Sequence, residues 1–319
     1  MKIKLIIIVV IIYLLLVLVN YNIFRYISIN RSPFSYFNPK KYYVLPRVKQ
    51  DKKVIITFTT VPGRIDKSKY MIASLLNQTV RVDKIYIYIP FKSSKGIKYE
   101  IPKWMSELEK KFIQFEIKRC NRDWGPATKI IPALMEFENT DYTIIYLDDD
   151  IIYNTNTIET LISYSKRYPN YAICNQGWNI ERWGGNSSLL GRTLHHSGKY
   201  FPTIDPYNHV FTDVMQGFSG VLIKPRFFDV KKLVKMDEYP KEVFFVDDVY
   251  LSGHLNDQGV YRISTLLQNG LPYFEEFLHG FILRNASNSL SSEHNNDLIN
   301  DRVACTCFKW IKQVQISLK

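Results

Sequence analysis

At 319 residues the chain is long enough for one large domain or two small ones, and its apolar fraction of 46% is that of a packed globular protein. Four cysteines are too few for a disulfide scaffold, and no paired zinc ligands or RNP-type motif accompany the net charge of +12, so a nucleic-acid partner is not expected. The basic excess points instead to anionic lipid headgroups or nucleotide phosphates.

Residues 1–4 form a short flank carrying Lys2 and Lys4, and an apolar stretch follows over residues 5–24. That is close to the ~20 residues needed to cross a bilayer. No small-residue cleavage site succeeds it, so a single-pass N-terminal anchor beside membrane lipid is expected. Its orientation stays open. Lys2 and Lys4 favour a cytoplasmic N-terminus, whereas Arg25, Arg31, Lys40, Lys41, Arg47, Lys49, Lys52 and Lys53 favour a cytoplasmic C-terminal side. Residues 25–52 read as a stem, because Ser32-Pro33, Asn38-Pro39 and Leu45-Pro46 interrupt any period.

A folded domain is expected over residues 53–319, with no linker that would split it. Residues 54–59 are apolar and β-branched and predict a strand, which Val61-Pro62-Gly63 breaks. Helical spacing of Met71, Leu75 and Leu76 predicts a helix over 67–76. Further strands are predicted at 84–89 and 112–117, a helix with Pro132 as a local defect at 127–137, and a strand at 142–147. Residues 171–174 and 220–223 read as short strands, and 242–255 as a strand-like start with a helical finish. Strands alternating with helices argue for an α/β fold with a mostly parallel sheet.

The strand at 142–147 delivers Asp148-Asp149-Asp150. Three carboxylates at the end of a buried strand repel one another and are costly to desolvate, so a cation or charged ligand would compensate them. Carboxylates together with substrate phosphates are how Mg²⁺-like ions are held. An acidic turn facing water is the other reading. On extended backbone, Asp148 and Asp150 would point to the same side. A second pair, Asp247-Asp248, lies about a hundred residues later. It reads either as a reactive carboxylate pair or as helix N-terminal acids favoured by the helix dipole.

Taken together, Ser74-Leu75-Leu76-Asn77-Gln78-Thr79, Asp148-Asp149-Asp150 and Phe245-Val246-Asp247-Asp248-Val249-Tyr250-Leu251 resemble, in order and separation, the motifs of GT-A fold nucleotide-sugar glycosyltransferases over residues 53–285. The resemblance implies a GT-A-like (Rossmann-like) mixed, mostly parallel sheet flanked by helices and preceded by one transmembrane helix. It also implies a nucleotide-sugar donor, a glycan, protein or lipid acceptor, a Mn²⁺ or Mg²⁺ cofactor, and a membrane location of the Golgi or ER type. Residue by residue, Asp150 would ligate the metal and Asp148 would touch the metal or the nucleotide, while Asp149 has no assigned role. His279 would complete the metal shell, core packing being the alternative. Asp248 would be the base with Asp247 as its neighbour, giving inversion.

Thr59, Thr60 and Arg64 follow the first strand, where the family contacts the nucleotide. Lys129, in Gly125-Pro126-Ala127-Thr128-Lys129, would lie one turn into a helix where relatives carry a basic residue near the donor; a solvated helix lysine is the alternative. Gly217, Ser219 and Gly220 resemble the small-residue segment beside the donor sugar, or else form a turn before a strand. The chain departs from the family at Ile89-Pro90-Phe91, where an Asp that reads the base often stands. Trp178, Trp183, Tyr200 and Phe201 would stack an acceptor sugar or simply pack. Two other functions compete: a metal-dependent nucleotidyltransferase, and a non-catalytic, membrane-anchored carbohydrate-binding protein on the same fold.

Overall fold

The computed structural model describes residues 23–48, 52–178, 180, 210–265, 271–272 and 296–310. Its centre is an eight-stranded mixed sheet. Strands β1 (Val54–Phe58), β2 (Lys84–Pro90), β3 (Phe115–Cys120) and β4 (Thr143–Tyr146) run parallel in the order β3-β2-β1-β4. The sheet continues through β10 (Val221–Ile223), which is antiparallel to both β4 and β6 (Ala172–Cys174), then through β11 (Arg262–Ser264), parallel to β6, to β8 (Val210–Phe211). Two small ribbons flank it: β5 (Ile151–Ile152) with β12 (Leu271–Pro272), and β7 (Gly177–Trp178) with β9 (Val214–Met215).

The period-two pattern of the strands sorts side chains into two cores. Ile56, Phe58, Ile85, Ile87, Ile145 and Leu147 pack on one face, against helices α3 (Ser68–Leu75), α4 (Lys103–Lys111) and α6 (Thr157–Arg167). Ile55, Tyr86, Tyr88, Ile144 and Tyr146 pack on the other, against α5 (Ile131–Phe137) and α8 (Asp247–Asp257). Burial on both faces is why these strands read as continuous apolar runs. Helix α4 is absent from the elements predicted above. Its fully buried residues are only Met105 and Leu108, set among many charges, and Phe112, expected to open a strand, instead caps its C-terminus. The third strand therefore begins at Phe115.

The helix predicted over 127–137 is broken. Gly125–Lys129 is a 3₁₀ turn, Ile130 leaves the helical region at φ −135°, and α5 starts at Ile131 with Pro132 in its first turn. Pro132 has no N–H to donate and its ring excludes the carbonyl four residues back, so one α-helix cannot run through it. Lys129 thus ends a 3₁₀ turn rather than lying one turn into a helix. Residues 241–245 likewise form a 3₁₀ turn, with no strand before α8.

Much of the expected stem packs on the domain. Helices α1 (Ile23–Arg31) and α2 (Pro39–Tyr43) place Tyr26, Ile29 and Tyr42 in the same core as α3. The remaining described helices are α7 (Val230–Leu233) and α9 (Asn296–Cys307), the latter lying against α8. No helix among the described residues is long and apolar enough to cross a membrane, and residues 5–22 of the expected anchor lie outside them.

Candidate functional site

Strand β1 pairs with β2 on one side and β4 on the other, so the chain's winding reverses between β1 and β4. In open α/β sheets the crevice at such a switch, beyond the carboxyl ends of the strands, is where ligands bind. Thr59, Thr60 and Arg64 leave the end of β1, and Asp148 to Asp150 leave the end of β4.

Strand geometry ends at Tyr146 and Asp149 and Asp150 lie in a turn, so the period-two argument for Asp148 and Asp150 does not apply here. Asp148 accepts from Lys129 Nζ at 2.6 Å. Asp149, 3% exposed, accepts from the Thr60 hydroxyl and from Arg64 Nη2 at 2.6 Å. Arg64 Nη1 reaches Asp150 at 3.2 Å. Asp149, without a role in sequence, is therefore the inner carboxylate that ties the end of β4 to the end of β1.

Lys129 is the pivot. It is 2% exposed, its ammonium lies 2.7 Å from Asp247 Oδ2 as well as 2.6 Å from Asp148, and it sits 5.6 Å from the centre of the Tyr146 ring. The solvated-lysine alternative does not hold. Burial pushes the ammonium pKa down, but Asp148, Asp247 and Asp248 together outweigh it and hold it well above its ordinary value.

Asp247 and Asp248 are the first two residues of α8, so the helix-dipole reading and the site reading describe the same geometry. The Gly217 N–H donates to Asp248 Oδ1 at 2.9 Å. Burial, with Lys129 opposing, raises the Asp247 carboxyl above the ordinary carboxylate range. Burial first, and Asp247 second, push Asp248 well above it. A Cβ on Gly217 would lie 2.4 Å from Lys129 Nζ and 3.0 Å from Asp248 Oδ1, so only glycine lets this backbone approach so closely.

Other candidates are turned into the fold. The Thr59 hydroxyl donates to Tyr88 O at 2.7 Å, and the Ser219 hydroxyl donates to Gln216 O at 2.6 Å and accepts from Gln176 N at 3.0 Å. Gly220, at φ +86°, ends a 3₁₀ turn over Gly217–Ser219 beneath Leu147. Trp178 is buried in β7. His279, Trp183, Tyr200 and Phe201 lie outside the described residues.

Among the described residues no cluster of three or more His, Cys, Asp or Glu side chains has metal-holding geometry. The donor set nonetheless suits a hard divalent cation. Asp148 and Asp150 are 31% and 28% exposed at their side chains, and such ions take one or two carboxylates and complete their shell with substrate phosphate.

One residue that sequence reasoning passed over also shapes the site. Tyr153 is fully buried, and its hydroxyl accepts from Asp148 N at 2.9 Å and donates to Asp148 O at 3.3 Å. In sequence it is one apolar-strand aromatic among many, and nothing marks its hydroxyl.

No family model matches the chain, and no curated protein matches it. Among solved structures, a crystal structure of GalNAc-T7 with UDP, GalNAc and Mn²⁺ aligns at a TM-score of 0.44 and 11% identity, over 70% of this chain and 46% of that one. The chain thus spans less than half of that protein's length. A likeness at that level carries no argument about activity.

Proposed function

We propose that the chain is a metal-dependent glycosyltransferase that moves a sugar from a nucleotide-sugar donor to a glycan, protein or lipid acceptor. One observation carries this reading: Lys129 joins the strand-end carboxylate Asp148 to Asp247, bringing two acidic motifs about a hundred residues apart into one crevice. The crevice offers cations and carboxylates together, and transfer from a nucleoside diphosphate sugar needs both.

The acceptor hydroxyl is a poor nucleophile until a base takes its proton. Asp248 is assigned that role. Burial raises its carboxyl pKa, which makes the carboxylate a stronger proton acceptor than an exposed one, and the Gly217 amide fixes its orientation. The acceptor oxygen bonds to the anomeric carbon as the bond to the diphosphate oxygen breaks, the electron pair leaves with the diphosphate, and the proton passes to Asp248. Direct displacement of this kind inverts the anomeric centre. Arg64, paired with Asp149 and Asp150 at the end of β1, would meet the negative charge that grows on the leaving group. Asp148 and Asp150 would hold Mn²⁺ or Mg²⁺, which when bound neutralises the diphosphate as a Lewis acid. The same reading keeps residues 5–24 as the membrane anchor, on a Golgi- or ER-type membrane.

The test is donor hydrolysis and transfer by the full chain across a panel of nucleotide sugars, with and without Mn²⁺. Asp248→Asn is expected to lower turnover about 10²- to 10⁴-fold while leaving donor binding in place. Unchanged metal-dependent turnover in Asp150→Ala would overturn the cation assignment. Preference for a nucleoside triphosphate would favour the nucleotidyltransferase instead, and sugar binding without turnover would favour the carbohydrate-binding protein.

A further inference from the structure

The acidic turn is held from a distant part of the chain. Arg25, on α1, donates from Nη1 to Tyr153 O at 2.8 Å, from Nε to Asn77 Oδ1 at 2.7 Å, and from Nη2 to Ser74 O at 3.3 Å and Asn77 O at 3.4 Å. Next to it, the Tyr26 hydroxyl donates to Asn154 Oδ1 at 2.8 Å. One guanidinium thus fastens the C-terminal end of α3 to the residue whose phenol clasps both backbone groups of Asp148. A third tie closes the circuit, since Tyr153 N donates to Ser74 Oγ at 3.1 Å. The segment from Asp148 to Tyr153, which carries the turn and β5, folds back so that the Tyr153 hydroxyl meets the Asp148 backbone.

A planar fork with five donors can serve several acceptors at fixed angles, which a lysine cannot reproduce. The acceptors here are backbone carbonyls and an amide, so no carboxylate competes for Arg25 within this set. Moving Tyr153 O by the loss of Arg25 would move the phenol, and with it the backbone that aims the Asp148 carboxylate at Lys129. Positions of this kind matter because displacements of about 1 Å in a reacting constellation already cost ~10²-fold in rate.

We propose that Arg25 is a positioning residue for Asp148, acting through Tyr153, so that docking of α1 is part of what assembles the site. The functional importance of Asp148 rests on the transferase reading above; the mechanical coupling from Arg25 to Asp148 does not. Helix α1 begins at Ile23, within the last residues of the apolar stretch at 5–24, so the segment at the end of the expected anchor also sets the acidic turn.

Hydrogen exchange on the full chain in detergent tests the coupling. Arg25→Ala is expected to speed amide exchange in the peptide covering residues 147–154 at least ~10-fold while β1 exchanges as in the unaltered chain, since opening of a local unit is separable from global opening. Arg25→Lys is expected to fall between. Tyr153→Phe is expected to give the same local effect, and the double variant no more than either alone, because both act on one linkage. Unchanged exchange at residues 147–154 in Arg25→Ala would overturn the proposal. So would an equal rise in β1, which would make Arg25 a staple of the whole fold, and so would additive effects in the double variant. Mn²⁺ titration of the same variants supplies the second readout, with a several-fold weaker midpoint expected in Arg25→Ala. If the unaltered chain binds no Mn²⁺, the metal assignment fails, and the exchange result still decides the coupling.

Discussion

Lys129 sits among three carboxylates that would otherwise repel one another, and its own burial would be costly without them. The group is balanced only as a whole. Lys129→Met keeps the volume of the side chain and removes the charge, leaving Asp148, Asp247 and Asp248 without their shared cation. We expect a loss of about 3–5 kcal/mol in urea unfolding unless the acids take up protons, together with a fall in donor turnover of at least ~10²-fold. A variant with unaltered stability would show that the carboxylates do not depend on this cation. Asp149 teaches a related lesson at the same scale. It is the most enclosed member of its run, and its partners Thr60 and Arg64 lie more than eighty residues away in sequence. Neighbouring residues in the run could not have identified it.

Among the elements, α8 combines two kinds of chemistry. Its first turn carries Asp247 and Asp248 into the crevice, and its last turn buries His254 in an aromatic nest of Tyr239, Tyr250 and Phe308. Burial depresses the imidazole pKa to about 4, and Nε2 has no hydrogen-bond partner among the described residues. The folded state therefore keeps His254 neutral where the unfolded chain takes up a proton. Because the folded pKa is the lower one, stability is intact above about pH 6.5, falls as the pH drops from there towards 4, and levels off below. The full loss from this group is about 3 kcal/mol, read as the pH dependence of the urea midpoint. His254→Leu should flatten that slope without changing donor turnover at neutral pH. The 3₁₀ turn at Gly125–Lys129 and the restart of the helix at Ile131 show the converse, a local break beside Pro132 that leaves Lys129 buried at the end of a turn rather than one turn into a helix.

At the scale of the whole molecule, the domain extends further towards the N-terminus than its strand pattern suggests. Tyr26, Ile29 and Tyr42 are buried with α3, and Arg25 bonds to the loop that carries the acidic turn. A chain beginning at Lys53 would expose the surface they cover. We expect it to be at least ~3 kcal/mol less stable than a chain beginning at Ile23, since removing even one large core side chain costs about that much. Equal urea midpoints for the two chains would show that α1 and α2 contribute nothing to the core.

By itself, the sequence determined the alternation of strands and helices, the parallel character of the leading half of the sheet, and the delivery of Asp148 to Asp150 at a strand end, because burial on both faces writes itself as apolar runs and charge ends them. It also marked Asp247 and Asp248 as a pair that reads either as reactive carboxylates or as helix N-terminal acids. Only the tertiary structure decided which carboxylate meets which cation. The run turns instead of extending, Asp148 goes to Lys129, Asp149 and Asp150 go to Arg64, and Tyr153 clasps the backbone of Asp148. Those partners come from separate elements, and a contact made across a sheet leaves no period in the chain for a reader to find. The packing of residues 25–48 escaped for the same reason: Pro33, Pro39 and Pro46 interrupt its pattern, while its few buried side chains take their meaning from the surface of α3.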